Sequence, residues 1–391
     1  MKKILLILLL LFSGVFSQDW HDDDEYVKIP FNLSLWPGIS TGDMWAEEAG
    51  YKKIYNTGFA FSVIGMRAAR LRGADISGIF SIYSEGIQGF QASGIFTLVN
   101  GNIRGAQGAG IFTMINGDVK GVQGNGIFGM QNGNFKGVQG SGIFQIQNGD
   151  FLGVQASGVF TIQNGDFKGV QVSEVFNITN GDFRGVQAGS ALNILSGSFR
   201  GLQIGTVNIA RYFDSGLQIG IVNIAQEHDG IPVGLFTYVN DVPLGYHVWY
   251  DDMQFVNAGL RSGNEDWYNL ISVGRRVEGD VRYHTVGAGF GRKIHLGDNW
   301  GLDVGISAHK LLDDNFKDNE WDDGDLGAMA KFNLMFRYGL GYEGSLFVGP
   351  TITAWYSKIA VEDLSQNPWV DEFEDDHYLR VWPGFVVGLE L

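Results

Sequence analysis

The hydrophobic and polar positions between residues 67 and 201 follow a repeat of 16 residues, and the spacing shortens to 15 and 14 (Gly201, Gly216, Gly230) in the rest of the array, which extends to residue 240. The recurring glycines are Gly73, Gly89, Gly105, Gly121, Gly137, Gly153, Gly169, Gly185 and Gly201. Gln, Phe and Asn-Gly recur at the same spacing. Within each unit an apolar residue, such as Phe151, is followed by a residue that is basic in nearly every unit, with Leu152 as the exception. Inward and outward side chains alternate in this way along a β-strand, so the pattern predicts an all-β repeat array.

Each unit has room for two strands of about six residues, separated by a two-residue turn such as Asn148-Gly149. In a β-solenoid each unit is one coil, stacked about 4.8 Å from the next, so that like residues form Phe, Gln and Asn ladders. In the alternative, one continuous up-and-down meander or barrel, each unit is a hairpin. Membrane strands need about 9–11 residues, so the short strands favour the solenoid. We interpret the Gln and Asn ladders as satisfying their own amide groups.

From residue 241 to residue 391 the pattern changes to a period of two over longer runs. Apolar residues alternate with small or charged ones over 302–309, 326–338, 346–356 and 378–391. This dyad pattern is typical of an antiparallel outer-membrane-type β-barrel, although a soluble antiparallel barrel or sandwich shows the same alternation. We expect six to eight strands here, and strands at 27–37 and 55–66 could add two more and close the barrel.

The N-terminus has the pattern of a secretory signal peptide. Lys2 and Lys3 precede an apolar run over 4–12, and small residues precede Gln18. The run is too short for a transmembrane helix, which needs about 20 apolar residues. The predicted organisation is a signal peptide at 1–17, N-terminal strands at 18–66 that could form part of the barrel, the repeat array at 67–240 and the barrel at 241–391. The chain is therefore expected to be exported.

Two octapeptides near the end of the array carry a family resemblance. Residues 201–208, Gly-Leu-Gln-Ile-Gly-Thr-Val-Asn, and residues 216–223, Gly-Leu-Gln-Ile-Gly-Ile-Val-Asn, resemble bacterial surface-repeat proteins with Gly-Leu-Gln-Ile-Gly-x-x-Asn motifs. Such proteins are similar in having a signal peptide, a repeat array and a strand-rich C-terminal part. The resemblance covers about 30–260 and implies an envelope or surface location without catalytic residues. The strict 16-residue register of the central repeats departs from the family.

Composition excludes several classes of protein. Of the 391 residues 58 are glycine and none is cysteine, and 45% are hydrophobic and 13% aromatic. This apolar content is too high for a disordered chain. Without cysteine there is no disulfide framework, thiolate metal site or cysteine nucleophile. A net charge of −16 argues against a nucleic-acid binder, which needs a basic footprint.

The sequence offers few candidates for chemistry. Residues 38–42 match Gly-x-Ser-x-Gly, but that motif requires the strand-to-helix turn of an α/β sheet, which we do not predict. The seven histidines lack metal-ligand spacing, and we expect them on the surface or in the barrel lumen. Two acidic clusters, 313–325 and 371–376, could bind calcium, but the order of ligands in an EF-hand is missing and solvated loops are the preferred interpretation. The calcium candidates are Asp318, Glu320, Asp322 and Asp325.

We therefore expect a non-enzymatic protein of the bacterial surface or outer membrane, without catalytic residues or cofactors. The repeat array would be a structural or interaction surface, and the barrel would anchor it in outer-membrane lipid. One alternative is an outer-membrane pore or transporter whose lumen carries Lys331, Arg337 and Asp303. Another is a soluble, secreted β-repeat binding protein. No surface ligand or partner protein can be named.

Overall fold

The computed structural model describes residues 27–48, 55–278, 282–312, 327–341, 344–358, 368–374 and 377–391. It is all-β, with 78% strand and 2% helix, and contains a parallel β-solenoid of about 12 turns and a closed eight-stranded antiparallel β-barrel. The predicted fold class is confirmed. Within the described ranges, no helix is long and apolar enough to cross a membrane. The chain divides into two compact units, Met1–Gly189 and Ser190–Leu391.

The first unit consists of solenoid turns. Its strands are β1 (Val27–Trp36), β2 (Ile39–Ser40), β3 (Tyr55–Ser62), β4 (Gly65–Ser77), β5 (Phe80–Ser93), β6 (Phe96–Asn100), β7 (Asn102–Ala109), β8 (Phe112–Asn116), β9 (Val119–Asn125), β10 (Phe128–Asn132), β11 (Phe135–Ser141), β12 (Phe144–Asn148), β13 (Phe151–Ser157), β14 (Phe160–Asn164), β15 (Phe167–Ser173), β16 (Phe176–Thr179) and β17 (Phe183–Gly189). One helix, α1 (Thr41–Glu48), follows β2.

Strands two positions apart in the chain pair in parallel and in register, so that each turn contributes one strand to each of two sheets. We call the even-numbered set β6 to β16 sheet A and the odd-numbered set β7 to β17 sheet B. In sheet B, Phe135 pairs with Phe151 and Gln139 with Gln155. In sheet A, Phe128 pairs with Phe144. The 16-residue period is therefore the length of one turn.

The N-terminal strands belong to the solenoid, so the prediction that residues 27–37 and 55–66 contribute to the barrel is wrong. Strand β1 pairs in parallel with β3, and β3 pairs in parallel with β4. The backbone hydrogen bonds of these parallel pairs add β1 and β3 to the stack of solenoid turns. The barrel closes without them, because β23 (Gly245–Asp251) pairs with β31 (His377–Glu390).

The interior of the solenoid combines an aromatic ladder with glutamine ladders. The rings of Phe135, Phe151 and Phe167 stack at centroid distances of 4.9 and 4.8 Å. Beside them Gln139 Nε2 donates to Gln123 Oε1 at 2.8 Å, in a row that is fully buried. From Gln123 to Gln187 the side-chain amides of this row pair one turn apart, as the interpretation of the ladders requires, whereas Gln107 Oε1 and Gln123 Nε2 at the start of the row have no partner among the described residues.

Glycine recurs because the stacked backbones leave no room for a side chain at certain positions. Gly137 has φ +142°, and a Cβ there would clash with the backbone carbonyl of Gly121 on the preceding turn. Gly149 has φ +138° and would clash with Gly133 in the same way. Both the left-handed conformation and the close approach require glycine.

The second unit begins with solenoid turns and continues into the barrel. The solenoid strands are β18 (Leu192–Ile204), β19 (Val207–Ile219), β20 (Val222–His228), β21 (Ile231–Val233) and β22 (Phe236–Val239). The barrel strands are β23, β24 (Phe255–Gly263), β25 (Trp267–Arg276), β26 (His284–His295), β27 (Trp300–Leu312), β28 (Ala328–Gly339), β29 (Ser345–Ser357) and β31, and β30 (Val370–Glu374) forms a hairpin with β31. Neighbouring barrel strands pair antiparallel all the way round.

Candidate functional site

The wall of the barrel has an apolar outer face, and its inner face is polar except for an apolar cluster at one end. Strand β29 shows the rule: Leu346, Val348 and Ile352 point outward and are exposed, whereas Thr351 and Thr353 point inward and are buried. Further exposed outward residues include Val256, Ile271, Val273, Val286, Ile306, Phe332, Phe336, Phe385, Val387 and Leu389. This arrangement is the reverse of a water-soluble barrel, whose apolar side chains fill the interior.

Aromatic side chains border this apolar band. The end of the barrel where three to five residues connect β24 to β25, β26 to β27 and β28 to β29 has the rings of Trp300 and Tyr338 4.8 Å apart and inclined at 58°. At the opposite end Tyr356 is exposed. Trp355 and Trp382, in contrast, are buried inside the barrel. On β29 the band spans about 25 Å, given a rise of about 3.4 Å per residue and a tilt near 40°.

A charged cluster fills the interior at the end with the short connections. The Arg261 guanidinium lies 2.9 Å from the Asp303 carboxylate and 3.8 Å from the centre of the Tyr268 ring. Arg337 lies 3.5 Å from Asp303 and 3.4 Å from Glu390. Arg261 and Asp303 are only 4% and 2% exposed. A cavity of about 460 Å³ opens beside this cluster and is lined in part by Arg337 and Glu390.

A second ion pair and an apolar cluster occupy the rest of the interior. Lys331 Nζ donates to Asp251 Oδ2 at 2.8 Å, and Asp251 Oδ1 also accepts from the backbone amide of Phe255. Toward the opposite end an apolar cluster closes the interior, formed by Met253, Phe255, Leu311, Met329, Trp355 and Trp382. Of the three residues expected in the lumen, the structure brings Arg337 and Asp303 together and places Lys331 in a separate pair.

The barrel caps the last turn of the solenoid within the second unit. Asn264 Nδ2 donates to the carbonyls of His228 and Gly230, both at 2.8 Å. Asn269 Nδ2 donates to the carbonyl of Pro232 at 3.0 Å, and its Oδ1 accepts from the amide of Gly234 at 2.9 Å. Without a cap, the last turn would expose the unpaired backbone groups of its edge strands. Repeat arrays in general require such a cap.

The capping residues lie on the outer face of the barrel wall, near one end. Ser262 accepts from the amide of Thr237 at 3.1 Å, and it follows the inward-facing Arg261 on β24. Asn269 likewise follows the inward-facing Tyr268 on β25. Sequence reasoning missed this contact. The sequence signal that could have revealed it is a polar residue, such as Asn269, in the outward row of a strand whose other outward residues are apolar.

His228 lies in the solenoid interior, which corrects the expectation of a surface or lumen position. Its ring stacks on Phe213 at 4.4 Å and takes the next place in the Phe ladder. Burial lowers the pKa of His228 to about 4. The neutral ring therefore completes the aromatic stack and contacts Asn264 Nδ2 through Nδ1 at 3.3 Å.

The Gly-x-Ser-x-Gly segment serves as a helix cap. Ser40 Oγ accepts from the amide of Asp43 at 2.9 Å and donates to Asp43 Oδ2 at 2.7 Å. This is the position of an N-cap before α1. Ser40 also lies 3.1 Å from the hydroxyl of Tyr55.

The four calcium candidates, Asp318, Glu320, Asp322 and Asp325, lie outside the described residues. In the second acidic cluster, Asp371 pairs with Arg380 at 2.8 Å. Among the described residues, no group of three or more His, Cys, Asp or Glu side chains has the geometry to hold a metal ion.

Comparison with models of protein families, with curated proteins and with solved structures finds no match to this chain. Its function must therefore be inferred from the geometry of the barrel and the solenoid.

Proposed function

We propose that the chain is a non-enzymatic bacterial outer-membrane protein whose barrel anchors the solenoid in the membrane. The segment 1–17 would direct export, and the solenoid would serve as a structural or interaction surface. The observation that carries the proposal is the reversed polarity of the barrel, with an apolar outer face and ion pairs inside. The resemblance to bacterial surface-repeat proteins supports the same compartment.

Lipid is the solvent in which this polarity is stable. A closed barrel pairs all of its strands and leaves no open sheet edge in the hydrocarbon, and an apolar band about 25 Å tall with aromatic borders is the pattern of such barrels. In water the same face would expose Phe332, Phe336 and Ile306 among many other apolar side chains. Soluble monomers rarely leave apolar patches of that size exposed. This favours the membrane anchor over the soluble alternative.

The filled interior favours an anchor over a pore. The interior of an eight-stranded barrel is only wide enough for side chains. Here the Arg261–Asp303 cluster, the Lys331–Asp251 pair and the Trp355–Trp382 cluster occupy successive levels.

The connections suggest which side of the membrane the solenoid faces. Barrels of bacterial outer membranes have short periplasmic turns and longer extracellular loops. At the end where Asn264 caps the solenoid, three to five residues separate β24 from β25, β26 from β27 and β28 from β29. At the other end three residues separate β23 from β24, but 15 separate β27 from β28 and 12 separate β29 from β30. The second-unit solenoid turns would then be periplasmic, in contrast to the surface exposure that the resemblance implies.

Fractionation and gel migration test the anchor. The chain is expected to remain with outer membranes after a carbonate wash, to require detergent for extraction, and to migrate differently before and after boiling. Recovery in the soluble fraction, with a migration insensitive to heat, would contradict the proposal. Ion conductance in planar bilayers would instead favour the pore.

The absence of cysteine gives a direct test of orientation. Single variants Glu227→Cys, in the solenoid turns of the second unit, and Glu372→Cys, in β30, are treated in intact cells with a membrane-impermeant maleimide. Labelling is expected at 372 in intact cells, and at 227 only after the outer membrane is permeabilised. The reverse result would place these turns on the cell surface.

A further inference from the structure

The outward side chains of each solenoid turn fall into two sets on opposite edges. We define the apolar ridge as the outward rows on both sides of the corner that leads from sheet B into sheet A. In the first unit it includes Val122, Val138, Val154 and Val170, then Ile79, Ile95, Ile111, Ile127 and Ile143, then Phe96, Phe112, Phe128, Phe144 and Phe160, and then Leu98, Met114, Met130, Ile146 and Ile162. In the described residues of the first unit two charged side chains interrupt these rows, Arg67, in register with Ile82 and Leu98, and Glu174 at the corner.

The opposite edge is polar. Here Asn148 Nδ2 donates to Asn132 Oδ1 at 2.7 Å, Asp150 Oδ1 accepts from the amide of Asp166 at 3.0 Å, and the basic row that contains Lys136 is exposed. A turn is therefore amphipathic across its width. The same division between an apolar and a charged face characterises helices that lie in a membrane interface.

The ridge is too large to be an ordinary exposed patch. Ile127 is 39% exposed and Val138 48%, and the rows continue over eight turns, about 40 Å at about 4.8 Å per turn. Contiguous apolar surfaces of several hundred Å² mark contact sites for proteins or membranes.

The contacts with the barrel show which way the ridge points in the second unit. Its ridge includes Ile221, Leu235 and Tyr238, which are 52%, 45% and 44% exposed. The ridge corner at Gly234 is bound by Asn269, on the outer wall of β25. Nearer the polar edge, the carbonyl of His228, which follows Glu227, is bound by Asn264, at the tip of the β24–β25 hairpin.

The ridge thus lies beside the wall and the polar edge beside the hairpin tip. Asn264 lies at the hairpin tip, and Asn269 lies further along β25, closer to the apolar band of the barrel. A membrane around that band would therefore be on the ridge side of these turns, and water on the polar side.

We infer that the apolar ridge of the second unit rests on the membrane leaflet at the short-connection end of the barrel, with its side chains at the boundary of headgroups and acyl chains. The occupant of this surface is lipid. The inference rests on the proposed membrane anchor. It gives the solenoid turns of the second unit a role as a platform on the membrane, with the polar edge that carries Glu227 turned to the aqueous side.

Site-specific quenching tests the inference on the full chain. Single variants Ile221→Cys on the ridge and Glu227→Cys on the polar edge carry the fluorophore NBD, and Ile352→Cys reports on the barrel wall. The proteins are reconstituted into vesicles of phosphatidylethanolamine and phosphatidylglycerol with or without bromine on the acyl chains. Brominated lipid is expected to quench the NBD fluorescence at positions 352 and 221. At position 227 the fluorescence intensity is expected to fall by no more than about a tenth.

The outcomes separate the two proposals. Quenching at 352 without quenching at 221 would overturn the inference and leave the membrane anchor intact. No quenching at 352 would contradict the anchor itself. A blue-shifted emission at 221 that brominated lipid does not quench, and that increases with the protein-to-lipid ratio, would assign the ridge to a second copy of the chain and also overturn the inference.

Discussion

The side-chain amide of Gln155 donates to Oε1 of Gln139 at 2.8 Å, one solenoid turn away, and both residues are fully buried. Gln171 donates to Gln155 at 2.9 Å and Gln187 to Gln171 at 2.8 Å. The amide group serves as donor to one turn and acceptor from the next, so that a polar interior is stable. Because glutamine occupies the interior, many apolar residues of the repeat are left on the outside.

Replacement of Gln139 by leucine is expected to destabilise the central turns. The change leaves Oε1 of Gln123 and Nε2 of Gln155 without these partners in the interior, at a cost of about 1–3 kcal/mol for each. Hydrogen exchange of peptides from 119–171 measures the loss, since a chain of several parts need not unfold in two states. Asn148→Leu breaks a ladder near the surface and is the control, with a smaller loss of protection expected. Equal losses would contradict the importance of the buried ladder.

Two glycines in one strand are expected to respond differently to alanine. Gly137→Ala places a Cβ against the Gly121 carbonyl in a left-handed conformation, and is expected to destabilise the turn by at least about 1–3 kcal/mol. Gly140→Ala meets no atom within 4 Å, and its register partner is already Ala156. Thermal unfolding followed by circular dichroism compares the two variants. Similar midpoints would show that the backbone contact at Gly137 can relax.

Asp75 is expected to make the first turns less stable as the pH rises from about 4 to about 6. Burial raises the pKa of Asp75 from 3.8 to about 6, although Ser81 and Ser77 donate to its carboxylate at 2.7 and 2.9 Å. The folded state thus favours the neutral acid. Relative to high pH, the neutral acid contributes about 3 kcal/mol to the free energy of unfolding. This contribution is fully present below the ordinary pKa of 3.8 and is lost as the pH rises through the folded-state pKa of about 6.

Hydrogen exchange of β4 and β5, corrected for intrinsic rates, tests this dependence. Asp75→Asn is expected to flatten it. Ser77→Ala removes a donor to the charged form, which raises the folded-state pKa of Asp75 further, and is expected to extend the dependence to higher pH. If the Asp75→Asn variant keeps the full slope, the dependence belongs to another group.

Loss of one partner of the Lys331–Asp251 pair is expected to weaken the barrel. Lys331→Met leaves the buried Asp251 carboxylate without its cation, which costs about 3–5 kcal/mol in buried pairs. The temperature at which the folded band converts to the unfolded band in gels should fall. The double variant Lys331→Met/Asp251→Asn keeps an acceptor for the amide of Phe255 and should recover most of the loss. No recovery would mean that packing, rather than charge, accounts for the effect.

The periodic features of the fold could be predicted because they are local. Glycine at positions such as Gly137, and the Asn148-Gly149 turn, mark the length of one turn, and alternation along β29 marks a strand with two unlike faces. The fold class followed from these patterns. The functional residues inside the barrel were only partly found, because Lys331 and Arg337 meet partners 80 and 53 residues away in the chain.

The sequence by itself determined the period, the turns and the strands with two faces. Only the tertiary structure decided which face is inside. Phe135 is buried and Phe144 is partly exposed, although both recur every 16 residues. The reason is that the paired amides of Gln139 and its equivalents, one turn apart, fill the space enclosed by the two sheets. The barrel cap at Asn264 and Asn269 was likewise decided by tertiary contacts, since backbone groups left open at the end of the stack need a partner that no local pattern specifies.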